Sequence, residues 1–356
     1  MSKKIKVGVI GCGRIANAAH LPSYKNNSDA EIVYVCDLIE EKAIKASNEY
    51  GGKAITDYKI ILNDPEIDAI SICTPNYCHS QIAIEALRAG KHVLCEKPAG
   101  RTLDEVVEMQ KAKNETGKIL NIGVVNRFND AVNKIKELVS QGELGNIHHV
   151  YMSFRAHRSI PGIGGDFTNK SVAGGGVLID WGVHYLDLVM YVCGDPKAKT
   201  VSSEMFNVLG KNINDYVYTG MWAEDTAKFG ADGVCDVEES ITGLIRTDGP
   251  VISFNGAWAQ NIGEEDTFID FMGDKAGIRL KYGGNFTLYS TKNNMLTKTT
   301  FDYKTNVMFQ NEIDAYVKAV QENNDKLPSS VNVNILTQEI MEAIYKSAEE
   351  HREVTL

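Results

Sequence analysis

Gly11, Gly13 and Ala16 form a GxGxxA pattern at the end of the β-branched run Ile5–Ile10, directly before a helical stretch from Arg14 to His20. Glycines placed there let a pyrophosphate approach backbone N–H groups and the positive end of a helix. Asp37 ends the next apolar run, inside the window of about 20 residues beyond the glycines where a carboxylate binds a ribose diol and repels a 2′-phosphate. The pair points to a dinucleotide, NAD rather than NADP. Thr74, Pro75 and Asn76 follow one further strand-like run, and Glu96, Lys97 and Pro98 follow the next. Strand carboxyl ends are where open α/β sheets bind ligands, so these residues are expected to line one crevice. A lysine in such a place is more often simply solvated, and position alone leaves Lys97 open.

A second group lies far along the chain, where Gly174, Gly175 and Gly176 lead into Val177–Asp187. If that stretch is helical, Asp180, His184, Asp187 and Tyr191 share one face, while Leu186, Val189, Met190 and Val192 fill the remainder. A polar stripe on a helix usually faces water. Here the rest of the helix is so apolar that burial is expected, which makes the stripe a candidate cleft lining. Asp180, His184 and Asp187 are metal-ligand types, but no second cluster completes a coordination shell, so no metal is assigned.

The elements that must hold these residues divide in two. Ile5–Ile10, Glu31–Cys36, Ala69–Cys73, His92–Cys95 and Ile119–Val125 read as strands separated by helical segments, the pattern of a doubly wound parallel sheet, hence α/β. Thr102 and Glu105 have capping-box spacing before the helix Leu103–Glu115, and Gly90 can end a helix from about His79 to Ala89. After a helix over Asp130–Ser140 the texture changes. Ile147–Arg155, Glu239–Arg246, Val251–Gln260, Thr267–Met272, Ile278–Tyr282 and Phe286–Ser290 are strands joined by turns, giving a mostly antiparallel sheet and an α+β domain. Helices over Phe309–Glu322 and Ile335–His351 close the chain. The boundary is placed between residues 123 and 124. Asn207–Asp236 is the least regular stretch and reads as an insertion or lid.

Composition narrows the partners. The 356 residues are 43% apolar, enough for a sizeable core, and carry a net charge of −10, which disfavours nucleic acid and anionic membrane surfaces. Met1–Lys6 leads into a strand rather than a signal sequence, and no apolar run is expected to reach the roughly 20 residues of a membrane span. Cys12, Cys36, Cys73, Cys78, Cys95, Cys193 and Cys235 include no CxxC pair and several sit in apolar runs. They read as reduced, partly buried thiols of a soluble, cytoplasmic protein.

Taken together, GCGRIA near the start, TPNYCH, CEKP, NRF at 126 to 128, GGGVLIDWGVH and AIYKSAEEHREVTL at the end resemble the Gfo/Idh/MocA oxidoreductases over nearly the whole chain. The resemblance implies a Rossmann domain, then a domain on a large open, mostly antiparallel sheet through which homodimers or homotetramers assemble. It implies NAD contacts from Gly11, Gly13, Arg14, Ile15, Ala16, Asp37, Thr74, Pro75, Asn76, His79, Glu96 and Lys97. It further implies that Lys97, Asp180 and His184 sit beside the nicotinamide and act on a sugar, sugar derivative or inositol; Arg127 and Arg155 are added as candidate substrate contacts. An imidazole with an ordinary pKa near 6.5 suits a general base, so His184 takes the hydroxyl proton, Asp180 orients it and Lys97 hydrogen-bonds the reacting oxygen. Two alternatives share these residues: an NAD-dependent glycosidase working through transient oxidation, and a non-catalytic NAD- or sugar-sensing regulator.

Overall fold

The computed structural model describes residues 4–217, 233–263, 266–301 and 307–356. Its helices are α1 Leu21–Asn26, α2 Glu40–Tyr50, α3 Lys59–Asn63, α4 His79–Arg88, α5 Leu103–Thr116, α6 Asp130–Ser140, α7 Lys170–Ala173, α8 Val183–Cys193, α9 Met308–Glu322 and α10 Val331–Glu350. The chain forms two compact units, Met1–Asn129 with Val307–Ile335, and Asp130–Asn306 with Leu336–Leu356.

In the first unit, β1 Ile5–Ile10, β2 Ala30–Cys36, β3 Lys53–Ile55, β4 Ala69–Ile72, β5 His92–Cys95 and β6 Leu120–Ile122 pair in the order β3-β2-β1-β4-β5-β6, every pair parallel. The order reverses at β1, whose neighbours are β2 and β4, which creates the switch-point crevice at its carboxyl end. Apolar clusters lie on both faces, as a sheet sandwiched by helices requires: Ile70, Val93 and Ile122 with Ala83, Leu87 and Val106, and Val7, Val9 and Val35 with Leu21, Tyr24 and Tyr316. Thr102 caps α5 as the sequence indicates, its hydroxyl accepting from the Glu105 N–H at 3.2 Å.

The single cut expected at 123/124 differs from this division. Val307–Ile335 returns to the first unit, because Ile313, Tyr316, Val317 and Val320 of α9 complete the core beside Val7, Leu21 and Tyr24. Helical periodicity announces a buried face but not which core it enters.

The second unit is built on nine strands, β7 Ile147–Arg155, β8 Ala198–Phe206, β9 Ser240–Thr247, β10 Val251–Ala257, β11 Asp266–Gly273, β12 Ala276–Lys281, β13 Phe286–Lys292, β14 Met295–Phe301 and β15 Val354–Thr355. Their order is β14-β13-β12-β11-β7-β10-β9-β8-β15, antiparallel except where β10 runs parallel to β7. Alternation sets its faces: Ala276, Ile278 and Leu280 are buried on β12 while Arg279 and Lys281 are exposed. The buried face packs on α6 and α8 and on Ile340, Met341 and Ile344 of α10.

The helical run Lys170–Cys193 corrects one expectation. At 24 residues it is long and apolar enough to span a bilayer by composition, yet 72% of its apolar window is buried in the protein, the signature of a core helix. Of Asn207–Asp236, residues 218–232 lie outside the described residues. The flanks are anchored: Glu239 accepts from the backbone N–H groups of Val208, Leu209 and Gly210 at 2.7, 2.9 and 3.0 Å.

Candidate active site

The first unit gathers its functional residues at the carboxyl ends of β1, β2, β4 and β5. Gly11 has φ +92°, and a Cβ there would lie 2.4 Å from the Cys73 carbonyl oxygen, so no other residue fits the turn. A Cβ on Gly13 would meet nothing within 4 Å, which leaves an open cradle above the turn. Asp37 stands beside it: one carboxylate oxygen accepts the Cys12 N–H and the other the Ile39 N–H, both at 2.9 Å. Each oxygen keeps a further lone pair, enough for two vicinal hydroxyls. On the adjoining strand end the Thr74 hydroxyl oxygen is buried and lacks a hydrogen-bond partner among the described residues. Open cradle, fixed carboxylate and unsatisfied hydroxyl together fit a dinucleotide.

Beneath the crevice lies a polar network that the motifs do not reveal. The helix after the glycine turn contains a π turn, Ala16–His20, and His20 at its end is only 1% exposed. Its Nε2 lies 2.8 Å from a Glu96 carboxylate oxygen and its Nδ1 3.3 Å from the Ser71 hydroxyl, itself 2.7 Å from the Tyr24 hydroxyl. The second Glu96 oxygen accepts the Lys97 N–H at 3.1 Å. Burial opposes charge on both partners; against it, the hydrogen bond and charge of His20 hold Glu96 below the usual carboxylate range, and Cys73 and then Glu96 raise His20. Cys73 does so only as a thiolate, but burial raises the thiol, so Glu96 is the partner that counts. Glu312 of α9 is nearby; burial first, then the Glu96 charge, pushes its carboxyl well up.

Two residues expected at the cofactor thus make protein contacts. Glu96 is turned into the ion pair with His20, and His79 places its ring nitrogens 2.7 Å from the Pro98 carbonyl oxygen and 2.9 Å from that of Thr74. Lys97, half-buried, precedes the cis peptide to Pro98; Arg14 is exposed and Ile15 half-buried. Arg127 is buried and donates to the Pro328 carbonyl at 2.9 Å.

In the second unit the triple glycine is a close-approach device. A Cβ on Gly176 would lie 2.0 Å from the Glu238 carbonyl oxygen, and one on Gly175 would lie 2.0 Å from the Tyr345 hydroxyl. Buried Glu238 accepts from Gly176 N–H (2.9 Å), Leu178 N–H (3.1 Å) and the Tyr345 hydroxyl (2.9 Å), fixing the start of the helix that follows. That helix opens as a π turn, Leu178–Gly182, before α8. The wider turn re-aims Asp180, whose carboxylate accepts the indole N–H of Trp258 at 3.2 Å. The even stripe drawn from helical spacing is therefore broken. Asp180 and His184 are half-buried, whereas Asp187 is buried, its carboxylate 3.4 Å from the Thr337 hydroxyl. Trp181, half-buried, packs against the core. Arg155, expected at the substrate, donates to the Asp266 carboxylate at 2.6 Å and the Ser153 hydroxyl at 3.1 Å. The sequence alone assigns no role to Trp258, Glu238 or Tyr345, although Trp258 falls in the expected strand Val251–Gln260 and Tyr345 in the AIYKSAEEHREVTL motif.

Comparison with known proteins shows the family. Residues 5–124 match the profile of an oxidoreductase family with an NAD-binding Rossmann fold, and residues 132–279 match the GFO/IDH/MocA C-terminal domain. D-glucoside 3-dehydrogenase of Escherichia coli is 31% identical over 100% of this chain and 98% of its own. The NADP-dependent scyllo-inositol 2-dehydrogenase of Bacillus subtilis is 26% identical, covering 75% of this chain and 69% of its own. In fold, levoglucosan dehydrogenase, solved with NADH and levoglucosan, aligns with a TM-score of 0.87 at 21% identity over 99% of both chains.

Proposed function

Because the chain belongs to the Gfo/Idh/MocA family and is an NAD(P)-dependent oxidoreductase of sugar or polyol CH–OH groups, we propose that it prefers NAD and that Lys97, Asp180 and His184 carry the chemistry. The carrying observation is the strand-end cluster of the first unit, where the open Gly13 cradle, the braced Asp37 carboxylate and the unpartnered Thr74 hydroxyl adjoin Glu96 and Lys97. Asp37 supports NAD over NADP, since its two free lone pairs suit a diol and its charge opposes a phosphate.

When bound, the nicotinamide supplies the hydride acceptor. His184 takes the hydroxyl proton as the alcohol becomes a ketone. Asp180, held by the Trp258 indole, orients and tunes that imidazole. The Lys97 ammonium donates to the reacting oxygen and stabilises its developing negative charge. The full-length similarity to a glucoside dehydrogenase makes glucosides the first compounds to test, then free sugars and inositols. The exposed face of the nine-strand sheet is the surface assigned to assembly into homodimers or homotetramers, and the free cysteines suit the cytoplasm.

The test is NADH production across that panel with NAD and NADP, followed by Lys97→Ala and His184→Ala. Each substitution is expected to lower kcat by about 10²- to 10⁴-fold while NAD affinity changes little. A folded His184→Ala protein that binds NAD and oxidises its substrate at the parental rate removes His184 from the mechanism.

A further inference from the structure

His79 is the last residue of TPNYCH and the first of α4, and its side chain is fully buried. Strands β4 and β5 run in parallel register until the Glu96 N–H donates to the Ile72 carbonyl at 3.0 Å. Beyond that bond the chain segments part, one into Thr74-Pro75-Asn76 and the other into Lys97-Pro98. The His79 ring stands between them. Its Nδ1 is 2.7 Å from the Pro98 carbonyl oxygen and its Nε2 is 2.9 Å from the Thr74 carbonyl oxygen.

A carbonyl oxygen only accepts, so each of these contacts requires a hydrogen on the ring nitrogen. A neutral imidazole has one. Burial pushes the ring pKa down, against the raising effects of the two carbonyls and the Glu96 charge, with Lys97 adding to the lowering. The neutral ring therefore has to choose, and the shorter contact is to Pro98.

We infer that His79 is a positioning residue: its Nδ1–H ties down the carbonyl of Pro98, the residue directly after Lys97, and so steadies the strand end that carries Lys97, while its Nε2 edge abuts the cofactor strand end at Thr74. The inference rests on the functional reading in which Lys97 acts on the substrate oxygen. Displacing a reacting group by about 1 Å can cost roughly 10²-fold in rate, so the strap matters to turnover through the place it gives Lys97.

Two amide replacements separate the edges of the ring. In His79→Asn the amide nitrogen falls near Nδ1 and keeps the tie to Pro98; in His79→Gln it falls near Nε2 and reaches Thr74 instead. His79→Asn is expected to keep kcat within about threefold of the parent, and His79→Gln to lose roughly 10- to 100-fold in kcat with KM for NAD little changed. Equal losses in both variants overturn the inference, as does a parental kcat in His79→Gln. Nitrogen-15 NMR of the imidazole in the unmodified protein gives an answer that does not depend on the variants folding. A proton on Nδ1 is expected, and an unprotonated Nδ1 overturns the strap. Lys97→Ala, measured alongside, keeps the two readings apart. Parental turnover in that variant sinks the functional reading, whereas severe loss there without an Asn/Gln split sinks only the role of His79.

Discussion

Replacing His20 by Leu removes the buried partner of Glu96 and leaves a carboxylate that is 6% exposed. Glu96 then has two options. Staying charged without its partner costs about 3–5 kcal/mol. Taking up a proton at pH 6 instead, above the ordinary carboxyl value of 4.5, costs about 2 kcal/mol, because each pH unit is worth about 1.4 kcal/mol. Protonation is the cheaper route at pH 6, so the expected loss there is about 2 kcal/mol. It grows by about 1.4 kcal/mol per pH unit and levels at about 3–5 kcal/mol where the charged form becomes the cheaper.

In the parent the pair behaves differently. The depressed Glu96 contributes stability that is complete above about 4.5 and lost as pH falls through its folded value; the raised His20 contributes stability that is complete below about 6.5 and lost as pH rises through its own raised folded value. Between pH 5 and 6.5 both contributions are nearly level, and there the gap between parent and His20→Leu is expected to widen with pH. Urea unfolding at half-unit steps measures it, and thermal unfolding of the 356-residue chain should show about 1–2 °C per kcal/mol. A constant gap below about 0.5 kcal/mol across that window refutes the argument, because it would mean that the pair is not charged in the folded protein.

Glu312 carries the opposite sign. Its raised carboxyl keeps a proton that the unfolded chain releases above about 4.5, so it costs stability increasingly as pH rises. Glu312→Gln is expected to gain at least about 1 kcal/mol on the parent between pH 5 and pH 8 in the same unfolding assay, and equal pH slopes would count against it. Asp37→Ala is expected to bring kcat/KM with NADP up toward the value with NAD. It also orphans the Cys12 and Ile39 N–H groups, at a cost of about 1–3 kcal/mol in chemical unfolding, and an unchanged cofactor ratio rejects the assignment of Asp37 to the ribose.

The sequence was most legible where local chemistry and hydrophobic pattern coincide. Ile5–Ile10 followed by GCGRIA, and Ala69–Ile72 followed by TPN, mark strand, turn and helix in one reading, because β-branched runs and glycines act locally. Lys53–Ile55 escaped because three residues give no period, and Ala198–Phe206 because Lys199, Thr200, Ser202, Ser203 and Glu204 make an edge-side strand look like a polar loop. The supports of the site were hidden for another reason. His20 meets Glu96, Trp258 meets Asp180 and Tyr345 meets Glu238 only after the chain has folded back on itself, and no spacing rule encodes those meetings. The π turns at Ala16–His20 and Leu178–Gly182 were likewise invisible, since their residues read as ordinary α-helix.

The return of Val307–Ile335 to the first unit has a consequence for synthesis on the ribosome. The segment Met1–Asn129 emerges early with its strands complete, but the face of β1 and α1 that awaits Ile313, Tyr316 and Val320 stays uncovered while the whole of Asp130–Asn306 is made. At about 5–20 residues per second that interval lasts on the order of ten to thirty seconds. Throughout it the nascent chain displays a sticky apolar surface on a parallel sheet that lacks one of its covering helices, which is the period in which a chaperone has something to hold and a neighbouring chain something to stick to.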